Sequence, residues 1–249
     1  MTLSGRLALV TGAGRGNGAA IAQGLARAGA SVVATDIDLT AADTTRDAIA
    51  ASGGTAWSMA LDITDAAVCR EVAARVAEEC GTVSILVNNA GILLRGRLAD
   101  PDAAERWAHT LDVNVQGPFN VTMALLPALR ASRGAVINVA SIQSFVAPPG
   151  SAAYSVSKGA LAQFTRALAA ELAADGIRVN AIAPGIIDTA MSAATRADPD
   201  RLAGFLAHVP LRRVGQPSEL AGPVVFLASD AASYVTGAIL PVDGGYLTI

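Results

Sequence analysis

The 249-residue chain is poor in aromatics, at 4%, and in charge, with Asp, Glu, Lys and Arg making up only 16% of its residues. Its formal charge is −3 and no run of Lys or Arg interrupts it, so it has no electrostatic footprint for a phosphate backbone. Nucleic acid is therefore not an expected partner. No basic segment followed by an apolar run opens the chain, and no apolar stretch is long enough to cross a bilayer without polar interruption. The expectation is a soluble, cytoplasmic protein with no membrane partner. Cysteine is scarce. Cys69 and Cys80 are expected on one helix, about 16 Å apart at 1.5 Å per residue, too far to bridge. His109 and His208 have no Cys or carboxylate neighbours at ligand spacing, so no metal is expected and both read as core or surface residues.

In place of charge the chain carries apolar residues, 52% of the total, enough to cover both faces of a sheet. "RLALV" (6 to 10), "SVVATD" (31 to 36), "TAWSMALD" (55 to 62), "SILVNNA" (84 to 90), "GAVINVAS" (134 to 141), "IRVNAIAP" (177 to 184) and "GAILPVD" (237 to 243) read as strands. Alanine-rich segments with helical spacing lie between them, at 16 to 29, 41 to 51, 65 to 80, 102 to 130, 152 to 174 and 217 to 229. This alternation predicts an α/β fold, a doubly wound parallel sheet with helices on both faces, in a single domain spanning 1 to 249. The segment 186 to 216, with Pro199 and Pro210, departs from the pattern and is expected to be a lid or binding loop.

"TGAGRGNG" (11 to 18) follows the first strand and opens the first helix. Glycines at 12, 14, 16 and 18 allow a sharp turn and a close approach of backbone N–H groups to a pyrophosphate, which predicts a dinucleotide cradle. Asp36 ends the second strand, where a carboxylate accepts hydrogen bonds from an adenosine ribose and repels a 2′-phosphate. NAD is thus expected rather than NADP, although Arg15 in the glycine loop is placed to pair with such a phosphate.

"YSVSK" puts Tyr154 and Lys158 at i and i+4 of a helix, on one face. A free phenol, with a pKa of about 10, is a poor base at neutral pH, and a nearby ammonium stabilises the phenolate. The pair is expected to exchange a proton with an alcohol or carbonyl, with Ser141 at the carboxyl end of the fifth strand holding the reacting oxygen. A serine hydrolase is disfavoured because there is no G-x-S-x-G elbow.

Taken together, the glycine loop, Asn88-Asn89-Ala90-Gly91, Asn114 in "LDVNVQG", Ser141, Tyr154 with Lys158, and "PGIIDT" from Pro184 to Thr189 resemble the short-chain dehydrogenase/reductase family over nearly the whole chain. The resemblance implies a Rossmann-like domain with strand order 3-2-1-4-5-6-7 and a catalytic tetrad of Asn114, Ser141, Tyr154 and Lys158. It implies that Lys158 also holds the nicotinamide ribose, and that Asn114 supports a water-linked proton path from Lys158 to solvent. The implied cofactor contacts are Gly12, Arg15, Gly16, Asn17, Gly18, Asp36, Asp62, Ile63, Asn89, Gly91, Tyr154, Lys158, Pro184, Gly185, Ile187 and Thr189. Asn17 stands where many members carry an aliphatic residue.

Arg95, Arg97, Gln143, Ser144 and Phe145 fall in segments expected to rim the pocket, and the first two suit a substrate carboxylate. The expected activity is NAD-dependent dehydrogenation of a secondary alcohol of a sugar, polyol or sugar acid. The alternatives are an NADPH-dependent 3-oxoacyl-thioester reductase and, in another class, a non-catalytic dinucleotide-binding regulator. Family members commonly form tetramers. The weakly charged faces of the helix after Tyr154, with Leu161, Phe164, Leu168 and Leu172 on one stripe, favour a homotetramer.

Overall fold

Strands β1 (Leu7–Thr11), β2 (Ser31–Asp36), β3 (Ala56–Ala60), β4 (Ile85–Asn88), β5 (Ala135–Val139), β6 (Arg178–Pro184) and β7 (Ile239–Val242) form from the seven apolar runs in a computed structural model that describes residues 2–249. They make one parallel sheet in the order β3-β2-β1-β4-β5-β6-β7. Several strands are shorter than their apolar runs at the carboxyl end. There the backbone leaves the ladder as the loops that build the site.

Alternation along the strands divides the core. Ala8 and Val10 of β1 face one way, with Ile85 and Val87 of β4 and Ile137 of β5. They meet Ile21 and Leu25 of α1 (Gly16–Arg27), Ile49 of α2 (Leu39–Ala51), and Val224 and Leu227 near the chain end. Leu7, Leu9, Leu86, Val136 and Val179 face the other way. On that side they meet α3 (Ala66–Glu79), α5 (Gly117–Ser132) and α6 (Ala152–Leu172) through Val72, Val76, Leu125, Leu129, Leu168 and Leu172.

The segment predicted as one helix over 102 to 130 is instead α4 (Ala103–Leu111) and α5, joined by a π turn at Asp112–Gln116. One wide turn rotates Asn114 inward to full burial. Gly117 opens α5 because any side chain there would collide with Ile63. The excursion at 186 to 216 contains α7 (Ala193–Arg196) and α8 (Pro199–Ala207). The latter starts with Asp198 accepting from the Arg201 N–H and Pro199 in the first turn. The final helix, α9, spans Ala221–Ala228. Among the described residues no helix is long and apolar enough to cross a membrane.

A buried amide ladder fixes the helices that carry the site. Asn88 and Asn138 are register partners on β4 and β5, and Asn88 Nδ2 donates to Asn138 Oδ1 at 2.9 Å and to Thr122 Oγ1 of α5 at 3.1 Å. Asn138 Nδ2 donates to Thr165 Oγ1 of α6 at 2.9 Å. Both asparagines are buried. Asn138→Ala removes two of these buried bonds, from Asn88 Nδ2 and to Thr165 Oγ1, and is expected to cost about 1–3 kcal/mol in urea unfolding, through the midpoint rather than the slope.

Candidate active site

The strand order reverses between β1 and β4, and the loops that leave their carboxyl ends diverge to opposite faces, opening the crevice where ligands of such sheets bind. A cavity of about 1140 Å³ occupies it. It is lined from the glycine loop through Asp36, Asp62, Ile63, Asn89 and Gly91 to Ser141, Tyr154, Lys158 and the 184–192 segment.

The residues present fit a dinucleotide. Gly12 has φ +60° and a Cβ there would sit 2.8 Å from Ala90 Cα, while one at Gly18 would strike the Gly12 carbonyl. Asn89 Nδ2 braces the same turn by donating to the Thr11 and Gly12 carbonyls at 2.9 and 3.0 Å. The glycine loop can therefore lie flat against the β4 loop and present its N–H groups at the start of α1. Arg15 and Asn17 line the cavity beside it, and Asn17 Oδ1 is buried without a partner. Asp36 is buried, its Oδ2 accepting from the Gly14 N–H at 2.9 Å and its Oδ1 from the Asp38 N–H at 3.1 Å. Lone pairs remain on each oxygen for ribose hydroxyls.

Tyr154 and Lys158 lie on the first turns of α6, both buried, with Lys158 Nζ 5.6 Å from the Tyr154 ring centre. Nζ donates to the Val139 carbonyl at 2.8 Å. Ser141, the next residue but one after β5, accepts from the Gln143 N–H at 3.1 Å and caps a short 3-10 turn. Asn114 lies beneath the cavity wall rather than on it. Its side chain pairs with Ile92 like a strand neighbour, Oδ1 accepting from Ile92 N–H at 2.8 Å and Nδ2 donating to Ile92 O at 2.9 Å. A Cβ at Gly91 would sit 3.0 Å from Asn114 Oδ1 and 3.5 Å from Lys158 Nζ, so glycine is what keeps the corridor between them free of side chain.

The electrostatics differ from the sequence expectation. Burial pushes the Tyr154 phenol up, not down. A hydrogen bond with Ser141 and the charge of Arg95 oppose that shift, and Lys158 has no resolved part in it. The lysine is itself held down to about 8 by burial. Desolvation dominates both shifts because the two groups share one dry wall.

Of the residues expected to meet substrate, Arg95, Arg97 and Gln143 line the cavity. Gln143 Oε1 accepts from the Ser151 and Ser155 hydroxyls at 3.1 and 2.8 Å, and its amide N–H groups have no protein partner among the described residues. Phe145 does not line it. It ends the 3-10 turn, which carries it outward to 47% exposure, and Val146 takes its place on the wall. His109 and His208, expected elsewhere, are on the cavity wall together with Arg201, Phe205 and Tyr246. Phe205 stacks on Tyr246 with centroids 4.7 Å apart. No periodicity in the sequence links α8 to the chain end, so this part of the wall had no local signal.

A family model described as enoyl-(acyl carrier protein) reductase matches residues 12–247. This chain belongs to the short-chain dehydrogenase/reductase family. Galactitol 2-dehydrogenase (L-tagatose-forming) of Cereibacter sphaeroides is 43% identical over 98% of this dehydrogenase/reductase and 96% of the relative. The 3-oxoacyl-(acyl-carrier-protein) reductase of Escherichia coli (strain K12) is 40% identical over 98% of both chains. Among solved structures, a gluconate 5-dehydrogenase from Burkholderia cenocepacia J2315 in complex with NADP and tartrate superposes with a TM-score of 0.95 at 37% identity, over 100% of this chain and 97% of that one.

The buried lysine of this dehydrogenase/reductase has a measurable cost. An unfolded chain keeps the Lys158 proton up to about 10.5, whereas the folded one releases it near 8, so unfolding takes up protons between these values and wild-type stability rises with pH across them. Lys158→Met removes this dependence. In paired urea titrations the variant is expected to gain most on wild type at pH 7, and the difference to shrink by an amount on the order of 3 kcal/mol as the pH approaches 10.5. Parallel curves at all pH values would show that the amine is not desolvated.

Proposed function

We propose that this protein is an NAD-linked dehydrogenase that moves a hydride between the nicotinamide and a secondary alcohol carbon of a sugar, polyol or sugar acid. The observation that carries the reading is the meeting, in one cavity, of the glycine cradle with a buried Tyr154 that has Ser141 and Lys158 beside it. The dinucleotide, when bound, supplies the hydride acceptor and a positively charged ring. Tyr154 takes the hydroxyl proton in oxidation and returns it in reduction, and the Ser141 hydroxyl holds the reacting oxygen. Lys158, with two N–H groups not engaged by Val139, holds the nicotinamide ribose and passes the proton on. Asn114 is a positioning residue that fixes the Ile92 backbone over the Gly91 corridor. The remaining cofactor contacts are those expected from Gly12, Arg15, Gly16, Asn17, Gly18, Asp62, Ile63, Asn89, Gly91, Pro184, Gly185, Ile187 and Thr189, all of which line the cavity.

The preference for NAD rests on Asp36. Two backbone N–H groups hold its carboxylate in place, so accommodating a 2′-phosphate would mean breaking both bonds or accepting like charges in contact. Exposed Arg15 is the feature that favours NADP, and the gluconate dehydrogenase relative was crystallised with NADP.

Initial rates with NAD and NADP on galactitol, gluconate, a deoxy-keto sugar acid and an acetoacetyl thioester test the reading. Turnover of a sugar-type substrate with NAD is the expected result, and strict NADPH dependence with thioester turnover overturns it in favour of the acyl reductase. Tyr154→Phe is expected to lose about 10²–10⁴-fold in kcat on any accepted substrate while keeping its affinity for the dinucleotide.

The homotetramer draws support from an apolar face. Phe119 and Met123 of α5 and Val156 of α6 are 45–47% exposed, and Phe119 leans on Phe164 of α6 at 6.2 Å. An exposed patch of this kind marks an association surface. Light scattering is expected to give four times the chain mass, with Phe119→Glu lowering it.

A further inference from the structure

The cavity carries its charge unevenly. Among the described residues its only carboxylates, Asp36 and Asp62, lie in the half between the glycine loop and the end of β3. The half beyond Tyr154 is lined by Arg95, Arg97, Arg201, His109 and His208, and by no acid. Acids do border this end, but they are already paired, Asp188 with Arg196 at 2.7 Å, Asp198 with Arg201 at 3.0 Å, and Asp100 and Asp102 with Arg106. Arg95 differs. Among the described residues its one side-chain hydrogen bond is to a neutral group, the Thr195 hydroxyl of α7 at 3.2 Å.

A guanidinium with five N–H donors and one neutral partner has most of its binding capacity to spare. Arg95 also lies within electrostatic reach of the reacting oxygen, since its charge acts on the Tyr154 phenol. Arg97 shares the wall but is not among the groups that act on Tyr154. The loop that presents Arg95 is braced. Gly96 N–H donates to the Gly150 carbonyl at 3.0 Å, and Arg106 of α4 donates to the Arg97 carbonyl at 3.1 Å across the position a Gly96 side chain would fill. A loop held in place before the ligand arrives lowers the ordering cost of binding it.

We propose that Arg95 binds a carboxylate of the substrate through paired N–H groups, making the enzyme selective for hydroxy and keto acids over neutral polyols of similar size. The proposal rests on the oxidoreductase reading above and narrows its substrate class. The acid lies across the cavity with its carboxylate at Arg95 and its reacting hydroxyl at Tyr154, and Thr195 yields or shares its hydrogen bond.

Two measurements test it on the full chain with reduced dinucleotide present, so that no oxidation takes place during binding. Calorimetric titration with tartrate is expected to show binding that Arg95→Gln weakens about 10- to 100-fold, the value of one charge-assisted contact, with Arg95→Lys recovering part of the loss. Galactitol, which has no carboxylate, is expected to bind both forms alike. In steady-state oxidation kcat/KM for gluconate is expected to fall by a similar factor, mainly through KM. Tartrate that does not bind wild type, tartrate that binds Arg95→Gln equally well, or galactitol weakened to the same extent each overturns the proposal. Failure of every alcohol to be turned over would instead overturn the oxidoreductase reading, and the titration still decides the role of Arg95.

Discussion

The constraint on which the site depends is the burial of a cation without an anion. Lys158 is 4% exposed, and its ammonium meets one backbone carbonyl and, among the described residues, no carboxylate within ion-pair distance. Removing such a charge from water is costly unless it is paired. The fold bears this cost at one place and gains an amine that changes state close to neutral pH. Lys158 is also the only lysine in the sequence, the rest of its 18 Lys and Arg residues being arginine. A guanidinium is always charged, so it suits ion pairs such as Arg213 with Glu219. An ammonium is the group that desolvation can tune, and the chain uses it only where tuning matters.

Keeping that amine dry while leaving it within reach of a ligand requires rigid neighbours. The amide ladder from Thr122 through Asn88 and Asn138 to Thr165 ties α5 and α6 to the middle of the sheet, so α6 cannot shift without breaking buried hydrogen bonds. The π turn then delivers Asn114 under the β4 loop, where it completes the backbone bonds of Ile92. Tyr154 inherits the same dry surroundings, which explains why its proton is held more tightly in the isolated chain than that of a free phenol. Proton release from Tyr154 is therefore sensitive to positive charge near the phenol, as the opposing effect of Arg95 shows.

Much of this was legible from sequence because it is written in local patterns. Seven apolar runs alternating with alanine-rich helices are enough to predict the sheet, and the four glycines from Gly12 to Gly18, spanning the loop and the start of α1, identify the cradle because only a glycine tolerates the close approach at Gly12 and Gly18. Other features were not legible because they depend on distant partners. The break at Asp112–Gln116 is invisible in helical spacing, which continues through it. The outward turn of Phe145 follows from the 3-10 cap at Ser141 and not from any property of a phenylalanine. The sign of the Tyr154 shift needs a burial map, since the i, i+4 spacing reports the lysine but not the loss of water around both.

The two ends of the cavity hold their charges in different ways, and the difference bears on where specificity resides. Asp36 sits at the end of β2, an interior strand, with a backbone N–H on each oxygen, and Gly14 must be glycine for the loop to come that close, since a Cβ would lie 2.8 Å from the carboxylate. Changing what that end recognises means rebuilding a turn of the scaffold. Arg95 is on a loop and, among the described residues, its one side-chain hydrogen bond is to a neutral group on the short helix α7. A single substitution there alters the charge presented to a ligand without touching the core. The Asp36 end of the cavity is thus fixed by the same backbone that forms the carboxyl edge of the sheet, whereas the Arg95 end is carried by segments that the sheet merely supports, and the two can vary independently.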